Sequence, residues 1–156
     1  MKIWIFNHYA ISPEMPGGSR HYDIAQKLIK RGHQVTIVAS SFHYNTYKDY
    51  RVYPPNKNYI VEYIDNIRYL WIRTFPYKSN NWKRLINIFS FTFRLREVYK
   101  FIKIEAPDIV IGSSFHLFAP LAAYRMARKR NIPFIFEVRD LWPETLRALG
   151  AASYHP

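Results

Sequence analysis

What most constrains this chain is the stretch from Met1 to Arg31, which reads as strand, glycine turn and helix. Lys2-Ile3-Trp4-Ile5-Phe6-Asn7 is a short run of β-branched and aromatic residues. At a chain start such a run is most simply a strand buried on both faces, as in a parallel sheet. Ser12-Pro13-Glu14-Met15-Pro16-Gly17-Gly18 then reads as a loop. Ser19 is placed to cap a helix from about Arg20 to Arg31. Tyr22, Ala25, Leu28 and Ile29 would form its apolar face. Gly32 ends it, with Lys30 and Arg31 where cations suit the helix dipole. The glycines therefore fall between a strand's carboxyl end and a helix N-terminus, where an α/β sheet binds anions.

The pattern repeats along the chain. Gln34 to Ala39 is a second strand, completing a βαβ unit. Ser40 to Asn58 reads as a long polar, tyrosine-rich loop. Tyr59 to Ile64 and Ile67 to Ile72 flank Asp65-Asn66, which predicts a hairpin. Asn81 to Lys103 reads as a long, strongly basic helix whose apolar residues cover more than one face. Two uses are open to it: a peripheral membrane contact, or a crossover helix packed on the sheet with a solvated basic edge. Packing is the commoner use and the one expected. Pro107 to Gly112 is a further parallel-type strand, followed by Ser113-Ser114-Phe115-His116. A helix is expected from Leu117 to Arg130, with Pro120 in its first turn. A strand follows over Ile132 to Glu137, and Pro143-Glu144 opens one more helix. Alternating strands and helices predict a Rossmann-like α/β domain: a mostly parallel sheet with helices on both faces and one β-hairpin.

In such a sheet the ligand crevice lies at the strands' carboxyl ends. Three polar clusters fall there: Pro16 to Gly18, Ser113 to His116, and Glu137 to Asp140. Gly17 and Gly18 would let a diphosphate approach backbone N–H groups. His116 suits a proton shuttle or a hydrogen bond to a sugar hydroxyl, or a purely structural place. Arg139 and Asp140 are either an ion pair closing a loop or a phosphate and hydroxyl ligand pair.

Charge and motifs exclude other classes. The chain has 156 residues, enough for one domain with a proper core. Lys and Arg number 23 against 11 Asp and Glu, a net charge of +12. That favours nucleic acid, anionic lipid or phosphorylated substrates. The basic residues are spread over several elements without a recognised binding motif, so nucleic acid is not the expected partner. A basic nucleic-acid-binding α/β module stays as the alternative. No G-x-G-x-x-G or P-loop motif occurs, which argues against a nicotinamide reductase or a P-loop nucleoside triphosphatase. No cysteine is present, and the 6 histidines lack H-E-x-x-H spacing, so no metal site is expected. Met1 leads directly into the first strand and no run is long enough to span a bilayer, so a cytoplasmic location is expected.

These residues resemble a known family. Met1 to Asn7, Pro16 to Tyr22 and Leu28 to Thr36 are similar to the start of a family 4 glycosyltransferase of the GT-B fold. Pro107 to His116, and above all Phe136 to Thr145, resemble the WbuB-like subgroup, which builds O-antigen, capsule or exopolysaccharide. The resemblance covers nearly the whole chain. It implies a retaining transfer of a hexose or N-acetylhexosamine from a nucleotide-diphosphate sugar to a lipid-linked or growing glycan, without a bound metal. It implies that residues 1–156 form the acceptor-side, N-terminal half of that fold, incomplete and without the donor-binding domain. Gly17 and Gly18 would form the donor-phosphate loop. His116, Arg139, Asp140 and Glu144 would line the acceptor side of the cleft. Arginine cannot act as a base at neutral pH, so Asp140 is the candidate catalytic carboxylate. The chain alone is expected to be inactive, with a second chain as a possible source of the donor domain and the cytoplasmic membrane face as a possible surface.

Overall fold

The computed structural model describes residues 1–79 and 82–139. Strand β1 (Lys2–Phe6) lies in the middle of the main sheet. Helix α1 (Arg20–Lys30) follows it and leads into β2 (Gln34–Ser40). A two-stranded ribbon, β3 (Phe42–His43) and β4 (Lys48–Asp49), stands apart. The hairpin is β5 (Tyr59–Ile64) and β6 (Ile67–Ile72). Helix α2 (Trp82–Ile104), β7 (Ile109–Ser113), α3 (Phe118–Arg128) and β8 (Phe134–Glu137) complete the order.

The sheet runs β5-β6-β2-β1-β7-β8, and every neighbouring pair is parallel except β5 with β6. It is the mostly parallel Rossmann-like sheet the alternation predicts. Strand pleating sends alternate side chains to opposite faces. In β1, Trp4 and Phe6 join Leu70, Phe91, Leu95 and Met126 beneath α2 and α3. Ile3 and Ile5 join Ile37, Tyr69, Trp71 and Ala25 beneath α1. Both faces of the central strands are thus covered, which is why those strands read as unbroken apolar runs.

The turns obey their local chemistry. Asp65 and Asn66 have φ of 49° and 65°, the pair of positive values a two-residue type I′ hairpin requires. Helix α1 closes with the Gly32 N–H on the Ile29 carbonyl at 2.8 Å and the His33 N–H on that of Leu28 at 3.1 Å. At Gly112 the chain packs so tightly that a Cβ would sit 2.8 Å from the Phe134 ring and 2.9 Å from Pro120 Cβ.

The structure corrects several boundaries. Ser19 does not cap α1 with its hydroxyl; its backbone sits at φ −78° and ψ 11°, not extended. Its carbonyl accepts the Asp23 N–H at 2.9 Å, and its hydroxyl instead donates to Asp23 Oδ2 at 2.6 Å. The long loop after β2 contains the β3–β4 ribbon, whose strands are too short to carry a periodicity. The strands expected from Pro107 and Ile132 begin at Ile109 and Phe134. Asn81 and the helix expected after Pro143 lie outside the described residues.

Candidate functional site

The carboxyl ends of β1, β7 and β8 converge with the start of α1, and side chains from all four elements tie them together. Asn7, fully buried, donates from Nδ2 to Ser113 Oγ at 3.0 Å and accepts the Tyr9 N–H on Oδ1 at 2.8 Å. His21 Nε2 reaches Ser113 Oγ at 3.0 Å and Glu137 Oε2 at 3.2 Å. Arg20 donates through Nε and Nη2 to Glu137 Oε1 at 2.9 and 2.6 Å. Burial pushes the Glu137 pKa up, but hydrogen bonds from Ser113, Arg20 and His21 outweigh it and bring it down to about 2. Burial pushes His21 the other way for a base, below its ordinary value, despite the pull of Glu137.

This lattice brings Gly17, Gly18 and Arg139 to one cleft, lined also by Tyr9, Ile11, Pro16, His43, Tyr44 and Phe115. The Arg139 N–H is anchored on Ser114 Oγ at 2.9 Å. Gly17 has φ +126°, a conformation L side chains rarely adopt, and a Cβ there would lie 3.4 Å from Ile11 Cδ1. Above Gly18 the space is open for 4 Å. A ligand can therefore approach the backbone at Gly18, two residues before α1, whose N-cap Ser19 makes no side-chain cap.

His43 braces the glycine turn. Its Nε2–H donates to the Pro16 carbonyl at 2.6 Å, while Nδ1 accepts the Asn45 and Thr46 N–H groups at 3.3 and 3.2 Å. Both ring nitrogens are engaged, so His43 positions and does not exchange protons with a ligand in this arrangement. Beside the cleft, Tyr44 and Phe115 also line a second hollow with Asn45, Tyr47, Tyr77 and Arg84. The Arg84 guanidinium lies 5.5 Å from the centre of the Phe115 ring.

The structure departs from expectation at His116. Phe115 forms the cleft wall, and the His116 ring stands behind it with Nε2 2.9 Å from His8 Nδ1. His8 is stacked on Phe91 at 4.2 Å. Burial and the nearby Arg84 charge lower His116 to about 4; burial, His116 and Arg84 lower His8 as well. Both rings are neutral near pH 7, and one donates its ring N–H to the other. Asp140 and Glu144 lie outside the described residues. The sequence reading passed over Asn7, His8 and His43. The first two follow the end of β1, so the rule that singled out the other strand ends reaches them too. His43 sits in a two-residue strand that carries no pattern.

The cleft thus offers glycine backbone next to a helix start, a guanidinium and aromatic walls. Such a set suits an anionic ligand with a ring attached. The glycosyl transferase 4-like domain model matches residues 17–155. The chain belongs to that family. Among solved structures, this glycosyl transferase 4-like domain is similar to a sucrose-phosphate synthase from Thermosynechococcus elongatus, at 11% identity and a TM-score of 0.62. That match covers 94% of this chain and 35% of the synthase, so the domain spans about a third of its neighbour's length. A second match is SsfS6, a glycosyltransferase of a Streptomyces species, at 20% identity and a TM-score of 0.45, covering 96% of this chain and 43% of that one. No curated protein is similar enough to match. The first likeness carries the fold.

Proposed function

We propose that this glycosyl transferase 4-like domain forms the acceptor-side half of a retaining GT-B enzyme. The reaction is transfer of a hexose or N-acetylhexosamine from a nucleotide-diphosphate sugar to a lipid-linked or growing glycan of a cell-surface polysaccharide. The observation that carries this is the meeting of Gly17, Gly18 and Arg139 in one cleft at the sheet's carboxyl end.

Departure of the nucleotide diphosphate places negative charge on its phosphate oxygens. Fixed donors aimed at that charge lower the barrier more than they stabilise the substrate. The backbone at Gly18 and the first turn of α1 supply such donors on this side, and Arg139 adds a permanent cation. Tyr44 and Phe115 offer faces on which an acceptor sugar ring can stack. Neither His8 nor His116 is the base in this reading, since both are held neutral behind Phe115; a carboxylate, Asp140, takes that role. No metal is invoked. A second polypeptide segment would supply the donor nucleotide site.

Titration of the chain with UDP-N-acetylglucosamine, followed by amide chemical shifts, tests the reading. Saturable shifts at Gly17, Gly18, Ser19 and Arg139 support it. A flat response there, with salt-sensitive binding of a polynucleotide instead, overturns it.

A further inference from the structure

Helix α2 has two apolar faces, and only one of them is used. Phe91, Leu95, Val98 and Ile102 are buried against the sheet. About 200° around the helix from Phe91 stands Phe89, since each residue advances roughly 100°. Trp82, Leu85, Phe89 and Phe93 recur at spacings of three and four residues and point outward, at 65%, 54%, 51% and 59% exposure. The same stripe continues with Arg96, Lys100 and Lys103, all exposed. Its first three turns are therefore aromatic and aliphatic, and its last two are cationic.

The stripe does not stand alone. The Phe89 ring meets that of Phe118, at the start of α3, with centres 4.9 Å apart. Phe118, Leu117 and Leu121 are themselves exposed. The Arg96 guanidinium folds over the Phe93 ring at 3.4 Å, joining the cationic and apolar parts. Scattered exposed apolar residues need no explanation; a contiguous patch spanning two helices does.

We infer that this α2–α3 surface is a docking face for a bilayer rich in anionic lipid. Two observations choose that occupant. The cations sit on the same helical face as the aromatics, where headgroup phosphates meet acyl chains, and the chain carries a net charge of +12. A Trp at the head of the stripe and stems of Arg and Lys at its tail suit the interface between water and hydrocarbon. No helix among the described residues is long and apolar enough to cross a membrane; in this proposal α2 lies along the surface. The inference goes beyond the transfer reading and stands without it, because lipid binding is measured with no sugar present.

The test is co-sedimentation of the chain with vesicles of phosphatidylcholine, with and without phosphatidylglycerol. The chain is expected to bind the anionic vesicles and to bind the neutral ones only weakly. Replacing Phe89 and Phe93 together by Ser is expected to weaken binding about tenfold or more. Arg96→Gln with Lys100→Gln is expected to cost about fivefold per cation on anionic vesicles and little on neutral ones. Brominated lipid is expected to quench Trp fluorescence of a Trp142→Phe chain, and Trp82→Phe in that background to remove the quenching, a readout that survives if the Phe variants fold poorly. Absence of binding to anionic vesicles overturns the inference. So does quenching that persists when Trp82→Phe is made in the Trp142→Phe background. A chain that is dimeric in sedimentation velocity without lipid, and made monomeric by the Phe substitutions, overturns it in favour of a second copy.

Discussion

The two ends of the sheet are built to different purposes. At the amino end Lys2, Arg68, Glu105 and Asp108 answer one another at close range. Arg68 donates to Glu105 at 2.6 Å and to Thr36 Oγ1 at 2.9 Å, and its guanidinium lies 5.2 Å from the Trp4 ring centre. Lys2 adds a second cation to Glu105 at 3.4 Å, and its N–H bonds to Asp108 at 2.7 Å. At the carboxyl end the chain keeps a glycine at φ +126°, buries rings of His8, His21 and His116 against their preference for charge, and leaves a helix start uncapped by side chains. Costs of that kind persist where a ligand needs the geometry. Under the proposed function, the difference separates an end that stabilises from an end that binds.

Acid should separate the ends most strongly. A histidine whose folded pKa is depressed leaves the unfolded chain binding more protons, so stability is full above about 6.5 and falls as pH drops toward the folded value. For His116, which titrates at about 4 in the fold, this amounts to about 2 kcal/mol lost by pH 5. His8 and His21 act in the same direction. Urea midpoints should therefore fall steeply between pH 7 and pH 5, and His116→Phe should flatten the slope. Glu105, lowered by its hydrogen bond with Arg68, loses stability in the same direction but in a lower window: its stabilisation is present above about 4.5 and is lost only below that.

Gly17→Val comes next. A branched side chain at this φ should cost about 1–3 kcal/mol, read as a lower melting temperature, and weaken anion binding about tenfold or more. Glu137→Gln keeps the shape but removes the charge that holds Arg20 and His21, at about 2 kcal/mol. It should also disturb the amides at Gly18 and Arg139, because the same lattice positions them. The smallest effect belongs to the other end. Arg68→Ala should cost about 1 kcal/mol, since its ion pair is partly open to solvent, and leave anion binding unchanged. A binding defect in Arg68→Ala as large as in Gly17→Val would erase the distinction between the ends.

Much of the fold was legible because burial on both faces writes itself into sequence. The runs Lys2 to Asn7 and Gln34 to Ala39 needed no alternation to be read as strands, and Asp65-Asn66 marked its hairpin by turn chemistry alone. That the glycine turn and Arg139 meet at one cleft was legible because strand ends in a parallel sheet share one rim. The histidine pair was not. His8 and His116 are 108 residues apart, and nothing local announces that one ring will face the other. His116 was read as a cleft residue because of its position after β7, yet the outward place at that strand end is taken by Phe115. Helix α2 showed apolar residues on more than one face, and the expectation of packing describes one of them; the sequence alone does not say which face meets the sheet.

The claim on which the account rests is that the carboxyl-end rim holds a diphosphate. Amide chemical shifts of the chain titrated with inorganic pyrophosphate test it most directly. The account predicts saturable shifts at Gly17, Gly18, Ser19, Arg20 and Arg139, lost in Gly17→Val. Shifts confined to the amino end, at Lys2, His33 and Arg68, would contradict it.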